Sequence, residues 1–407
     1  MSASRPSAPA PAGATHPTAI GADDVRRQNL SAVLRHVQRA GSLSRSTLTR
    51  ATGLNRSTVA ALVADLARRG LVEERAGAGQ GRAGRPSAVV SGSEAAVAVA
   101  VHPELDAIEL AMVTVHGRIL HRARYRNPEP PSPAHFLSVV PAMLEGMLSA
   151  AEAPRPLGIG VAVPGVVNEH DGVVQWAPHL GWRDVPLAEE LAARTGLPAM
   201  AVNDASAGAM AECLFGAGRG ARHLVFLNGG ASGIGGGIAV GGELLRGASG
   251  HAGEFGHTLV DASGPACECG ATGCLETVVR RDRLGALGAP EGAELAGAMR
   301  SAWGGEDPLG VELRLQLDAL GTALRNASNT LNPDRVVFGG YLADLLSAAG
   351  EPALRAAMSP LVAGAGVGPE LVGAELGDSL MLIGAAEAVF APIVADPTLV
   401  PAVPAEV

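Results

Sequence analysis

Gly253-Glu254-Phe255-Gly256-His257 and, ten residues further on, Cys267-Glu268-Cys269-Gly270-Ala271-Thr272-Gly273-Cys274-Leu275-Glu276 hold the most specific chemistry in this chain of 407 residues. Three of its four cysteines fall within eight residues. One imidazole and three thiolates make up the tetrahedral shell that Zn2+ prefers, so His257, Cys267, Cys269 and Cys274 are the expected ligands. Gly270 and Gly273 would let the chain fold back tightly enough for the sulfurs to converge. Four protein ligands leave no position for a reactive water, so the metal is expected to be structural, ordering the loop that bears Glu254 and Glu276. Clustered thiols suit a reducing cytosol better than a disulfide framework, and the expected location is cytoplasmic. Cys213, standing alone, reads as a small apolar residue in a helix.

Around this loop the sequence reads as an α/β body. From residue 95 onward valine-rich strands alternate with helical periods: a hairpin over 95–101 and 107–115, a helix over 133–151, a buried strand over 157–163 and a helix over 187–195. The uncharged stretch 224–242 contains eight glycines and Asn228. That composition does not suit a membrane helix, and it is expected to form a glycine-rich loop between strands. With 47% hydrophobic residues and only 3% aromatic, Leu, Val, Ala and Ile must fill the core.

The N-terminal fifth differs in charge. Residues 21–85 carry 12 Arg against 5 acidic residues, whereas 86–407 sum to −17; the whole chain stands at −9, and its 31 basic residues are all Arg. Leu30, Val33, Leu34 and Val37 have the spacing of an amphipathic helix over 25–40, ended by Gly41. Ser44 can cap a second helix to Thr52, Gly53 makes the turn, and Asn55 can cap a third helix over 56–69. Two helices around a short glycine turn make a helix-turn-helix whose second helix enters the major groove. Arg45, Arg56, Ser57 and Thr58 are therefore the expected DNA contacts. An extended segment over 71–75, a glycine-rich turn and an apolar 87–90 complete a winged helix, with Arg82 and Arg85 at the wing tip near phosphate or a minor groove. Residues 1–20, rich in Pro, Ala and Ser, read as a disordered arm.

The paired motifs Gly-Glu-x-Gly-His and Cys-x-Cys-Gly-x-x-Gly-Cys-x-Glu resemble those of the ROK family of repressors, open reading frames and sugar kinases, in its repressor branch. The likeness runs from the first helix to about residue 390. It implies a winged helix-turn-helix over 21–90 followed by a two-lobed actin-like, ribonuclease-H-like domain with a structural zinc loop. Lobe 1 would span 94–203, completed by a C-terminal helix over about 380–392; lobe 2 would span 204–379, leaving 393–407 as a tail. It further implies a sugar site made of Asn203, Asp204, Glu254, His257 and Glu276, with Asp204 as general base in any kinase. On its own, the Asn203-Asp204 pair also reads as a helix N-cap. Pro164-Gly165 and Leu180-Gly181-Trp182 match family loops beside the sugar less specifically.

ROK kinases cradle phosphate on an Asp-x-Gly-Gly-Thr turn. Here the corresponding stretch is Val99-Ala100-Val101-His102-Pro103-Glu104-Leu105-Asp106, with no glycine and with a proline that has no N–H to offer. Glu104 and Asp106 do not stand at the family's Asp position. The second turn, Ser232-Gly233-Ile234-Gly235-Gly236-Gly237, and Asn332-Pro333-Asp334 with Gly339-Gly340, which resembles the adenosine side, are retained, but backbone geometry alone can require such glycines. ATP and Mg2+ are therefore not expected. The expected function is a non-catalytic transcriptional regulator, a repressor of carbohydrate genes, that binds a sugar effector and a roughly palindromic duplex as a homodimer or dimer of dimers, with no membrane partner. The alternative is a sugar kinase with a fused DNA module.

Overall fold

The computed structural model describes residues 21–76, 87–149, 153–230, 233–248, 250–290, 292–362, 366 and 368–402. The first helix, α1 (Ala22–Ala40), buries Leu30, Val33, Leu34 and Val37 and stops at Gly41, whose φ of 70° returns its N–H to the Val37 carbonyl. Strand β1 (Ser42–Ser44) leads to α2 (Arg45–Thr52), where the Ser44 hydroxyl accepts from the Thr47 N–H. Gly53, also at φ 70°, turns the chain into α3 (Arg56–Arg68), capped by Asn55 through the Thr58 N–H at 2.8 Å. Caps of this kind contribute about 1 kcal/mol each. Strands β2 (Val72–Arg75) and β3 (Val89–Gly92) complete a small antiparallel sheet in the order β1-β3-β2. The expected wing-tip residues Arg82 and Arg85 lie outside the described residues.

The body begins with the hairpin β4 (Ala96–Pro103) and β5 (Ala107–Thr114), then β6 (Ile119–Arg126), α4 (Pro133–Leu148) and β7 (Arg155–Val163). A small antiparallel sheet of β8 (Val166–Asn168), β9 (Val173–Ala177) and β10 (Trp182–Val185) follows, then α5 (Leu187–Thr195) and β11 (Ala199–Asn203). The main sheet runs β11-β7-β4-β5-β6, with β7 parallel to both β4 and β11. Every residue of β5 is buried, the pattern of a strand covered on both faces.

The second half carries α6 (Asp204–Phe215), β12 (His223–Gly230), β13 (Gly233–Val240), β14 (Glu243–Leu244), α7 (Leu275–Val278), α8 (Arg281–Ala286), α9 (Leu295–Ala302), α10 (Pro308–Leu331), β15 (Arg335–Gly340), α11 (Tyr341–Ala349), α12 (Glu351–Ala357), β16 (Glu370–Gly373) and α13 (Leu380–Ala395). Its sheet runs β14-β13-β12-β15-β16. Of the stretch 224–242, expected as a loop between strands, residues 224–230 and 233–240 instead pair antiparallel in β12 and β13. Its glycines serve close packing: a Cβ at Gly235 would lie 2.7 Å from that of Ala205, and one at Gly237 would lie 2.5 Å from that of Ala209, because α6 presses directly on the strand.

Helix α13 returns across the molecule to pack on β4, β7 and α6. A Cβ at Gly160 would sit 1.9 Å from the Ala385 carbonyl, and one at Gly384 would sit 2.3 Å from that of Ala207, so both contacts are backbone-close. The segment 377–395 is, among the described residues, the one helix long and apolar enough to cross a bilayer, but 61% of it is buried inside the protein. It is a core helix. Of the expected tail over 393–407, the described residues 393–402 instead continue α13 to Ala395 and bury Ile393, Val394 and Val400. A single apolar cluster joins Leu30, Val37 and Leu66 of the winged module to Phe390, Ile393 and Val400, so the module is seated on the body through a shared core. Polar links reinforce the seat: Arg69 donates to the Val400 carbonyl at 2.5 Å, Arg155 to the Arg69 carbonyl at 2.8 Å, and Gln38 to Glu387 at 2.9 Å.

Candidate functional site

The cysteine loop closes on itself through short bridges pairing Leu259 with Cys274 and Ala266 with Thr272. Gly270 and Gly273 take φ of 92° and 72°. At Gly273 a Cβ would fall 1.6 Å from the Asp261 carbonyl, so only glycine fits there. The donor atoms of His257, Cys267, Cys269 and Cys274 lie within 4.8 Å of one another and could hold a metal ion. His257 Nδ1 is 3.6 Å from Cys267 Sγ, and the sulfurs of Cys269 and Cys274 are 3.7 Å apart. Tetrahedral Zn2+ with its usual bond lengths spans about 3.6 Å between N and S ligands and about 3.8 Å between two S ligands, so the spacing fits. Burial pushes the Cys267 thiol up to about 12 and raises Cys274 as well. Converging sulfurs in such surroundings become thiolates together only when a cation shares their charge.

His257 has a second face. Its Nδ1 points to the sulfurs while Nε2 lies 3.9 Å from Glu254 Oε2, and Glu276 Oε1 is 3.4 Å from Nδ1. The expected metal set and the expected polar set therefore meet at this imidazole. Asn203, Asp204, Glu254, His257 and Glu276 line one cleft of about 300 Å3 between the two large sheets. Asn203 caps α6 through the Ser206 N–H at 2.9 Å while its amide donates to the Gly165 carbonyl at 3.0 Å and to Asp204 Oδ1 at 3.3 Å. The cap and the cleft-lining position therefore coexist, because Oδ1 serves the helix and the amide nitrogen orients the neighbouring carboxylate. Burial raises the Asp204 carboxyl above the ordinary carboxylate range; His102 and the Ala205 N–H pull it back, and Glu254 adds to the rise.

Pro164 and Gly165 line the cleft, but Leu180 and Trp182 do not. Trp182 is 1% exposed, donates Nε1 to the Pro131 carbonyl at 2.7 Å and meets Phe136 edge-on, so its indole belongs to the core, while the residues just before this motif, Pro178 and His179, lie beside the cleft. Trp176 and His179, a few residues earlier, line it instead, as do Arg280 and Tyr341. Sequence reading missed these four. Tyr341 directly follows Gly339-Gly340, and its buried hydroxyl has no hydrogen-bond partner among the described residues. At the β4–β5 turn, Arg124 holds Glu104 at 2.6 Å and Asp106 at 3.2 Å. His102 Nδ1 donates to the Ala162 carbonyl at 2.8 Å.

On the winged module, Arg56 and Ser57 are exposed at the start of α3, and Ser57 Oγ donates to Asn55 Oδ1 at 2.7 Å. Thr58 is half-buried through its role at the cap. Arg45 begins α2 and is ion-paired with Glu74 on β2. At the far end of α3, burial works to raise Asp65, but Arg26, Arg69 and Arg68 outweigh it and hold the carboxyl below its ordinary value.

Comparison with known proteins matches residues 100–391 to the sequence model of the ROK family and residues 31–83 to that of the MarR family. The chain is 33% identical over 255 residues to a protein described as a putative xylose repressor of Caldicellulosiruptor sp. strain Rt8B.4, covering 62% of this chain and 63% of that one. It is 32% identical over 255 residues to the xylose repressor of Bacillus subtilis strain 168, covering 62% and 65%. These alignments span a little under two thirds of the repressors' length. A glucokinase of Streptomyces coelicolor is 30% identical over 306 residues, covering 69% of this chain and 93% of the kinase. Among solved structures, a ROK family transcriptional regulator described as a homologue of the E. coli Mlc protein superposes with a TM-score of 0.74 at 24% identity, covering 92% of this chain and 98% of that one. A ROK glucokinase from Streptomyces griseus, in complex with glucose and AMPPNP, gives 0.58 at 27% identity, covering 72% and 98%.

Proposed function

The chain belongs to the ROK family, and from that premise we propose that it is a sugar-responsive transcriptional repressor of carbohydrate genes, acting in the cytoplasm. The observation that carries this reading is the joining of a MarR-type winged helix to a body whose cleft gathers Asn203, Asp204, Glu254, His257 and Glu276. Carboxylates and an amide accept from and donate to adjacent hydroxyls, and such a site rejects analogues that lack one. Trp176 offers an apolar face for a sugar ring, and the unpartnered Tyr341 hydroxyl offers one more hydrogen bond. Zn2+ held by His257, Cys267, Cys269 and Cys274 would be structural: it orients His257 and stiffens the loop carrying Glu254 and Glu276.

Arg56, Ser57 and Thr58, at the N-terminal end of α3, are the proposed groove contacts, with Arg82 and Arg85 on the wing; Arg45, committed to Glu74, is a weaker candidate. A two-fold homodimer, alone or paired into a dimer of dimers, would read a roughly palindromic operator. Ligand and operator affinities are then coupled reciprocally, by about 1–3 kcal/mol. The test is operator affinity of the zinc-loaded protein with and without a panel of pentoses, hexoses and their phosphates. One of them should weaken operator binding at least fivefold. Equal affinity at saturating concentrations of every sugar that binds overturns the reading.

A second reading, a sugar kinase with a fused DNA module, is favoured by the retained Asp204 carboxylate. Against it stands the β4–β5 turn, where Pro103 has no N–H and Arg124 occupies the carboxylates of Glu104 and Asp106. Sugar-dependent ATP turnover that vanishes in Asp204→Asn would establish the kinase reading.

A further inference from the structure

A second cavity, of about 260 Å3, opens between α1 of the winged module, α6, α13 and the β13–β14 hairpin, and it shares no lining residue with the cleft. Part of its wall is apolar, from Val202, Met210, Leu214, Ala391 and Val394. Six charged residues face it: Arg35, Arg39, Glu169, Glu243, Arg246 and Glu387. Glu169 and Arg246 neutralise each other at 2.6 Å, and Arg35 reaches Glu243 only at 3.7 Å. Arg39 makes no ion pair or hydrogen bond among the described residues, although Glu387 is near enough for its charge to be felt. The cavity thus has a spare guanidinium on its rim.

Glu387 is the other unusual member. It is 6% exposed and accepts one hydrogen bond, from Gln38 to Oε2 at 2.9 Å, while its second oxygen has no partner among the described residues. Burial pushes this carboxyl up to about 8 against the pull of Gln38, Arg39 and Arg35. That rise favours the protonated acid near neutral pH, whose oxygen without a partner among the described residues can donate. A guanidinium at the rim and a carboxylic acid within, beside apolar side chains, call for an acceptor with net negative charge.

We propose that this cavity is a second ligand site, taking a small amphipathic anion, a carboxylate or phosphate on an apolar body, clamped between the DNA-binding module and the body. Its volume lies just under the range of about 300–1,000 Å3 that holds drug-sized ligands, which suits a small metabolite. The site touches both functional ends of the molecule. Arg35, Gln38 and Arg39 belong to the first helix of the winged module, whereas Ser206, Met210 and Leu214 lie along α6, the helix that begins at the cleft residues Asn203 and Asp204. An occupant therefore bears on how the winged module sits, separately from whatever fills the cleft.

The test is thermal unfolding of the full chain titrated with benzoate and with phenyl phosphate, with benzyl alcohol as the uncharged control. A ligand that binds only the native state raises the melting temperature. At least one anion should raise it by several degrees in the wild-type protein and equally in Asp204→Asn, benzyl alcohol should leave it unchanged, and the relative response to the two anions tells carboxylate from phosphate preference. Arg39→Ala, which removes an exposed, unpartnered side chain and should melt as wild type when ligand-free, should weaken binding at least tenfold; Glu387→Leu should do the same, and Glu387→Gln, still a donor, should retain binding. No response to either anion, an undiminished response in Arg39→Ala, or loss of the response in Asp204→Asn would overturn the proposal.

Discussion

Glu387→Gln isolates the energetic cost of a buried acid at the seat of the winged module. In the folded chain burial lifts this carboxyl from an ordinary 4.5 to about 8. The unfolded chain gives up its proton near 4.5 while the native state keeps it, and each unit of difference is worth about 1.4 kcal/mol. Across the gap of three to four units the linked effect approaches about 5 kcal/mol; water entering the adjoining cavity reduces it, and about 3–5 kcal/mol is the expected range. The sign follows from the raised value. The stabilising contribution of Glu387 is fully present below pH 4.5, falls as pH rises, and is gone above about 8. Glutamine keeps the shape, can still accept the Gln38 bond through its carbonyl, and does not titrate. The variant should therefore differ from wild type by a constant amount below pH 4.5, become relatively more stable between pH 5 and 8, and level off above 8. Urea-unfolding midpoints of both proteins from pH 4.5 to 9, with matched m-values, measure the difference, in which the other titrating groups cancel. A stability difference that does not change between pH 5 and 8 would refute the reasoning, since Glu387 would then ionise alike in both states.

Asp65 shows the opposite linkage: Arg26 at 2.5 Å, Arg69 at 3.2 Å and Arg68 at 3.4 Å hold its carboxyl below its ordinary 3.8. Its contribution is present above that value and lost as pH falls through the folded-state value; Asp65→Asn should cost about 1–3 kcal/mol at pH 7, the arginines being partly solvated, and an unchanged melting temperature would count against the cluster. Metal analysis should find one zinc per chain, and chelation or Cys269→Ser should lower the melting temperature and open the remaining motif thiols to alkylation; a metal-free protein of equal stability with unreactive thiols would contradict the proposed centre. Arg56→Ala should weaken operator binding and, if the contact is to phosphate, reduce the slope of log K against log salt by about one, whereas unchanged affinity and slope would remove Arg56 from the interface.

Local signals were legible because they act over a few residues. Ser44 and Asn55 cap α2 and α3, Gly53 turns between them at positive φ, and three cysteines at most seven residues apart can hardly avoid one another. The β4–β5 hairpin was readable for the same reason, as two apolar runs joined by a short turn. Glycines misled where composition does not say what they face. Those of β13 read as a glycine-rich loop between strands, yet Gly235 and Gly237 lie under α6, whose approach no side chain would permit. Trp182 matched a cleft motif, but the fold gives its indole a carbonyl and a phenyl partner inside the core.

What the sequence by itself determined is the family, the close spacing of His257, Cys267, Cys269 and Cys274 that could hold a metal ion, the helix caps and the division into a basic module and an acidic body, because each depends on residue type and short spacing. Only the tertiary structure brought Gln38 to Glu387 across 349 residues, set Tyr341 in the cleft, paired Arg45 with Glu74 and pressed the winged module onto α13. Those contacts arise from how whole elements pack to bury apolar surface, and no local pattern encodes which distant side chains then meet.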